Sequence, residues 1–207
     1  MHHKSKNFLV GLTLFFLLFP TLLSRDTEEL KADLPVLITS CGQSPGATMI
    51  KVIFMKINFE DPDPAYTTIM QAGPEDLISA QEEGNPYKSV IIVMGASLKG
   101  MGAAGISMDD ELSRIESLIN EARKQNITII GAHIEGMKRR AQGAAPGDNT
   151  DELSIDAVAL NSDILVINKE GDGDKRFSMI AEKNNIPMIV VEKNLELMEK
   201  LEELFSN

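Results

Sequence analysis

Val90-Ile91-Ile92-Val93-Met94-Gly95-Ala96-Ser97-Leu98-Lys99-Gly100-Met101-Gly102-Ala103-Ala104-Gly105, followed by Ile106-Ser107-Met108-Asp109-Asp110, reads as a strand, a glycine-rich loop and the start of a helix. The first five residues are apolar and rich in β-branched side chains, as a strand buried on both faces of a parallel sheet would be. Gly95 to Gly105 is expected to be a loop whose small residues allow close approach of a ligand or another backbone. Ser107 can cap the helix with Asp110 three residues on, and Leu112, Ile115, Ile119 and Ala122 recur at helical spacing. A loop opening onto helix-terminal N–H groups commonly receives an anion or a polar head.

The same strand, loop and helix order recurs upstream. Pro35-Val-Leu-Ile-Thr39 leads through Ser40-Cys41-Gly42-Gln43 to Ser44-Pro45, a hydroxyl cap before a proline at the first helical position, and Ala47, Ile50, Ile53, Phe54 and Ile57 follow as an apolar stripe. Two such units imply parallel strands joined by right-handed crossovers. Downstream, Asn126–Ile130, Asp163–Ile167 and Pro187–Val191 read as strands. The helices between them carry Leu153, Ala157 and Val158, with Thr150 as cap, and then Phe177, Ile180 and Ala181. A final amphipathic helix holds Leu195, Met198, Leu201, Leu204 and Phe205. Glu60 to Ser89, with four prolines, is the least readable part; Tyr66–Met70 is taken as a strand, with a helical turn or two after Pro74. Gly143 to Asn149 is expected to be a mobile loop. The expected fold is α/β: a single doubly wound, mostly parallel sheet of five to six strands, flavodoxin-like or Rossmann-like, with helices on both faces.

A chain of 207 residues is long enough for one such domain, placed at 35–207. Ahead of it, Lys4 and Lys6 precede the charge-free run Phe8–Ser24, which stops at Arg25-Asp26 in the layout of a cleaved secretory signal over residues 1–24. The run is short for a membrane span, although an N-terminal membrane anchor is the alternative. Residues 25–34 read as a polar tether. The expected location is therefore periplasmic or extracellular. Cys41 is the only cysteine, so no intramolecular disulfide can form, and the charged interval after residue 24 separates it from any lipidation site adjoining the apolar run. The net charge of −11 makes nucleic acid an unfavourable partner, while a local basic pocket could still hold a small anion. Oligomeric state is left open.

Three motif readings fail on context. Gly100-x-Gly102-x-x-Gly105 matches the dinucleotide pattern but stands away from the first strand, and no acid follows at the required distance. Gly95-x-x-x-x-Gly100 is followed by Met101-Gly102 where a phosphate-binding loop has lysine and a hydroxyl. Glu170-x-Asp172-x-Asp174 lacks the glycine and the final acid of a calcium loop. No cofactor and no metal are expected. What remains is positional: in open α/β sheets, ligands bind outside the carboxyl ends of the strands. The residues there are Ser40, Cys41, Gln43 and Ser44, then Ser97, Lys99, Gly100 and Gly102, and finally His133 and Glu135. Together they form a candidate site for a small polar or anionic molecule.

Val36–Gly46 and Ile91–Glu111 resemble a family of exported bacterial proteins classed as a domain of unknown function, from about Pro35 to the C-terminus. The resemblance implies an extracytoplasmic Rossmann-like domain and carries no assigned catalytic residue. More loosely, the layout is similar to one lobe of a periplasmic solute-binding protein, without the second lobe that hinge closure requires. The first functional expectation is an exported binding protein. The second is an enzyme with Cys41 or a serine as nucleophile and His133 as base, and the third is a structural or partner-docking module.

Overall fold

Six short runs rich in apolar or β-branched residues become the six strands of one sheet in a computed structural model that describes residues 30–144 and 149–206. The strands are β1 (Val36–Cys41), β2 (Tyr66–Thr68), β3 (Ser89–Met94), β4 (Thr128–His133), β5 (Ile164–Asn168) and β6 (Met188–Val191). All pair in parallel, in the order β2-β1-β3-β4-β5-β6. β1 and β3 are buried at every position, which explains why their sequences are continuous apolar runs and do not alternate. The fold is the parallel α/β architecture expected. The signal segment 1–24, the first part of the tether and Ala145–Asp148 of the expected loop lie outside the described residues.

The helices divide unequally between the two faces. On one face α2 (Pro74–Glu82), α4 (Met108–Lys124), α5 (Thr150–Ala159) and α6 (Arg176–Asn184) bury Leu77, Ile115, Leu118, Ile155 and Phe177 against Leu37, Ile92 and Leu165. The other face is covered by α1 (Gly46–Phe54) and α7 (Asn194–Phe205), which bury Ala47, Ile50, Leu197, Leu201 and Leu204 against Val36, Ile38, Ile91 and Val166. Phe54 anchors this side: its ring lies 5.3 Å from Phe59, 5.4 Å from Tyr66 and 5.5 Å from Phe205. Residues 30–34, read from sequence as part of the tether, dock here. Ala32 N–H donates to Leu204 O at 2.8 Å, and Leu30 and Leu34 pack on the core.

Three local expectations are corrected. Gly95 to Gly105 is mostly helix: α3 (Leu98–Ala104) is capped by Ser97, whose Oγ accepts from Gly100 N at 3.1 Å, and it ends at Gly105 in the left-handed region. Four small or flexible residues in a row suggested a loop, but a hydroxyl cap and a terminal glycine suffice to delimit two helical turns. Ser44 does not cap α1. The helix starts at Gly46 with Pro45 in the cap position, and the Ser44 hydroxyl reaches Gly46 N at only 3.4 Å. Thr150 is the first residue of α5 and Asn149 holds its cap position. The capping box of Ser107 and Asp110 at α4 stands as read, and those hydrogen bonds hold the Asp110 carboxyl below its usual pKa.

Candidate functional site

The strand order reverses between β1 and β3, and the loops leaving these strands meet there. Gly42 has a φ of 100°, and a Cβ on it would lie 2.6 Å from the Ala96 Cα, so only glycine lets the two loops touch. Ser97 N–H then donates to Gly42 O at 2.7 Å. Four backbone N–H groups at these loops each hold an oxygen of the chain itself. Gly42 N donates to Glu111 Oε1 at 2.7 Å, Gly46 N to Glu135 Oε1 at 3.1 Å, Gly95 N to Ser154 Oγ at 2.8 Å, and Ala96 N to Asp151 Oδ1 at 2.7 Å.

Counter-ions complete the arrangement. Arg114 binds the Glu111 carboxylate at 2.8 Å and donates to the carbonyls of Ala72 and Ser40 at 2.5 and 2.6 Å, which ties α4 to the end of β1. Arg139 reaches Glu135 at 3.2 Å and the Ala96 carbonyl at 3.0 Å. Burial raises the Asp151 carboxyl above the ordinary aspartate range. Further along the same edge, buried Arg140 is held by Glu152, Asp174 and the Gly171 carbonyl; burial opposes its charge, but the two carboxylates outweigh that and raise its pKa.

The sequence-derived residues are brought to this one edge, and most are spoken for. Ser40 Oγ donates to Met70 O at 3.1 Å, and Gln43 Nε2 donates to Met70 O and to Glu111 Oε1. Cys41 and Ser44 are fully buried. Gly100 lies against the Gln43 backbone, where a Cβ would stand 2.2 Å from the Gln43 oxygen; Gly102 faces open space, and Lys99 is exposed on the first turn of α3. Both glycines therefore sit in a helix, the first as a packing contact.

Cys41 and His133 occupy one row of the sheet. Cys41 pairs with Met94, and the register of Val93 with Ala132 continues to place Met94 beside His133, so Met94 stands between them and the strand spacing sets them about 10 Å apart. Burial pushes the Cys41 thiol up to about 12. His133 is buried against Phe177, with ring centroids 5.0 Å apart, and burial lowers its pKa. Its Nε2 lies 3.1 Å from Gly136 O. Among the described residues Nδ1 has no partner of good hydrogen-bond geometry, although the Met94 backbone is near enough to favour the protonated ring slightly. A thiol kept neutral and an imidazole one strand too far away do not form a nucleophile and base pair. Among the described residues no group of three or more His, Cys, Asp or Glu could hold a metal, and no helix is long and apolar enough to cross a membrane.

Five surface concavities among the described residues lie away from the ten residues above. One of about 500 Å³ lies at the opposite end of the sheet, between Pro35, Pro64, Pro86 and Tyr87. Another, of about 650 Å³, runs between α1 and α7 and is lined by Pro45, Thr48, Met49, Val52, Ile53, Lys56, Leu195 and Met198. Leu195 is 89% exposed there, Val52 46% and Met198 39%. The sequence reading missed this groove, although a signal for it existed. The buried stripe of α1 is Ala47, Ile50 and Phe54, whereas Met49, Val52, Ile53 and Met55 are apolar residues beyond what one buried face requires.

This geometry defines a Rossmann-like parallel α/β domain in which four strand-end N–H groups bind side-chain oxygens of the chain itself. The chain belongs to the family described as Domain of unknown function (DUF6305), whose model matches residues 33–205. No curated protein matches it. Among solved structures it is similar to the psychrotrophic esterase EstA from Pseudoalteromonas sp., at 11% identity and a TM-score of 0.33 over 76% of this chain and 77% of that one. It is also similar to the acetyl xylan esterase AlAXEase, at 12% identity and a TM-score of 0.37 over 83% and 86% of the two chains. Neither likeness brings a residue role to this chain.

Proposed function

We propose that this chain is a non-catalytic binding module acting outside the cytoplasm, and that it takes a small apolar ligand in the groove between α1 and α7. The observation that carries this reading is the groove itself: five apolar residues of α1 and α7, with Pro45 before α1, left in contact with water around about 650 Å³. Burying a leucine or valine side chain is worth about 1.5–3 kcal/mol, so a ligand that covers this lining is stabilised by the apolar surface it removes from water. The volume falls within the range of small-molecule sites. At the strand ends the N–H groups of Gly42, Gly46, Gly95 and Ala96 already hold Glu111, Glu135, Ser154 and Asp151, so those four donors are not open to an anion. The export part of the proposal rests on the layout of Lys4, Lys6 and Phe8–Ser24.

Titration with the neutral fluorophore N-phenyl-1-naphthylamine tests the groove. Its emission should rise on binding, and Val52→Glu and Leu195→Glu, both at exposed positions that the fold does not need, should each abolish the rise. Full-strength binding by both variants would place the ligand elsewhere and defeat the proposal.

A further inference from the structure

We infer that the carboxyl edge carries an acid-sensitive latch: charging of the His133 imidazole releases the turn Lys169–Asp172 and the first turn of α6 from the end of β4, while the sheet itself stays folded. The ring is fully buried, and its Nε2 lies 3.1 Å from Gly136 O, an acceptor, so Nε2 carries the single proton of the neutral imidazole. Nδ1 is then bare, and among the described residues it has no hydrogen-bond partner. A second proton would sit on Nδ1, where no well-aligned acceptor receives it.

The cover over the ring is thin. Gly171 lies directly on it: a Cβ there would stand 2.5 Å from the His133 Cδ2 and 2.8 Å from Nε2, so this residue seals the imidazole with backbone alone. Phe177, the second residue of α6, packs on the ring with 5.0 Å between centroids. Beside it lies β3, a strand paired along both edges. Local opening follows the least anchored element, which here is a four-residue turn and the helix start that comes after it.

The surrounding charges oppose a second cation. The Arg140 guanidinium shares the Phe177 ring, 5.5 Å from its centroid, and donates to Gly171 O, so a charged imidazole stands beside the group that ties the turn down. Glu135 favours the charged ring, but its carboxylate is engaged by Arg139. Glu152 and Asp174 are held by Arg140, Asp172 by the N–H groups of Phe177 and Ser178, Lys169 by Glu192, and Arg176 by Glu152 and Asp156. Lys138, Glu170 and Lys175 are exposed. Burial is the largest influence on the ring, and it lowers the pKa below the ordinary imidazole value of 6.5. An open state, whose ring meets water, therefore binds a proton that the closed state refuses. Opening is independent of pH well above 6.5 and grows by up to about tenfold per pH unit below it, until the closed ring itself titrates.

Amide hydrogen exchange of the full chain, followed by NMR at pH 7.5 and 5.5 and corrected for intrinsic rates, tests the latch. Protection of the Phe177 and Ser178 amides should fall about tenfold between the two conditions, and in both they should exchange faster than the Ile92 amide of β3. His133→Gln keeps a polar side chain that cannot charge, and it should abolish the fall. Should that variant not fold, the native chain decides alone, through its exchange and through the His133 ring signal, which should still report a neutral imidazole at pH 6.5. Exchange of Phe177 and Ser178 in step with Ile92, equal protection at the two pH values, or a ring already charged at pH 6.5 would each overturn the inference. A fall that persists in His133→Gln would overturn it too, and would assign the pH dependence to Asp151, the other buried group at this edge whose carboxyl titrates above its ordinary range.

Discussion

Cys41 closes β1 with its thiol turned into the core beneath α4, where the Ser154 hydroxyl donates to its carbonyl at 2.7 Å. Burial raises the thiol from 9.0 to about 12, so above pH 9 the unfolded chain releases a proton that the folded chain keeps. The sign follows directly: this residue adds no pH dependence below 9, and between 9 and 12 it removes stability at up to about 1.4 kcal/mol per pH unit. Denaturation curves at pH 8 and pH 10 should therefore show a larger loss for the native chain than for Cys41→Ala, whatever the variant's stability at pH 8. The thiol should also ignore Ellman's reagent in the folded protein and react at once in guanidinium. Equal losses in the two proteins, or rapid labelling of the folded chain, would mean that the thiol is accessible and would reopen the nucleophile reading.

At the scale of elements, the glycines of α3 separate packing from permissiveness. Gly100→Ala places a methyl 2.2 Å from a backbone oxygen of Gln43, a contact that only a shift of the β1 loop relieves, and should cost about 1–3 kcal/mol. Gly102→Ala meets nothing within 4 Å and should gain about 0.5–1 kcal/mol from helix propensity. Chemical denaturation of the two variants checks both signs; a loss at Gly102 matching that at Gly100 would mean that both positions face a partner. The same segment shows where reading the sequence succeeded and where it stopped. Val90–Met94 and Ser107–Asp110 were legible because a double-faced apolar run and a capping box are local signals. Leu98–Ala104 was not, because a seven-residue helix with two glycines owes its existence to the Ser97 cap and to contact with Gln43, which lies 57 positions upstream. Ser44-Pro45 misled for a related reason: local chemistry favoured a cap, but Glu135, distant in sequence, supplies the stronger acceptor for the α1 terminus. The strand-end residues were placed correctly at one edge. Their engagement by Glu111, Arg114, Asp151 and Ser154 could not be foreseen, since all four come from helices whose approach only the tertiary structure determines.

For the whole molecule, the uneven division of helices decides where a ligand can go. Four helices cover one face of the sheet; two cover the other, meeting at Phe54 and Phe205 and leaving the groove beside α1. The carboxyl edge, where this architecture most often binds its ligands, is instead fastened by the Glu111–Arg114 and Glu135–Arg139 pairs. The methionines provide reporters in both regions. Met49 and Met198 line the groove, whereas Met94 lies in the core of the opposite face and Met101 is buried under α3. Methyl NMR of the methionine-labelled chain, with N-phenyl-1-naphthylamine added to saturation, is the most direct test of a groove-binding module. The Met49 and Met198 methyl signals should move while those of Met94 and Met101 stay in place; movement of Met94 and Met101 with Met49 and Met198 unchanged would contradict it.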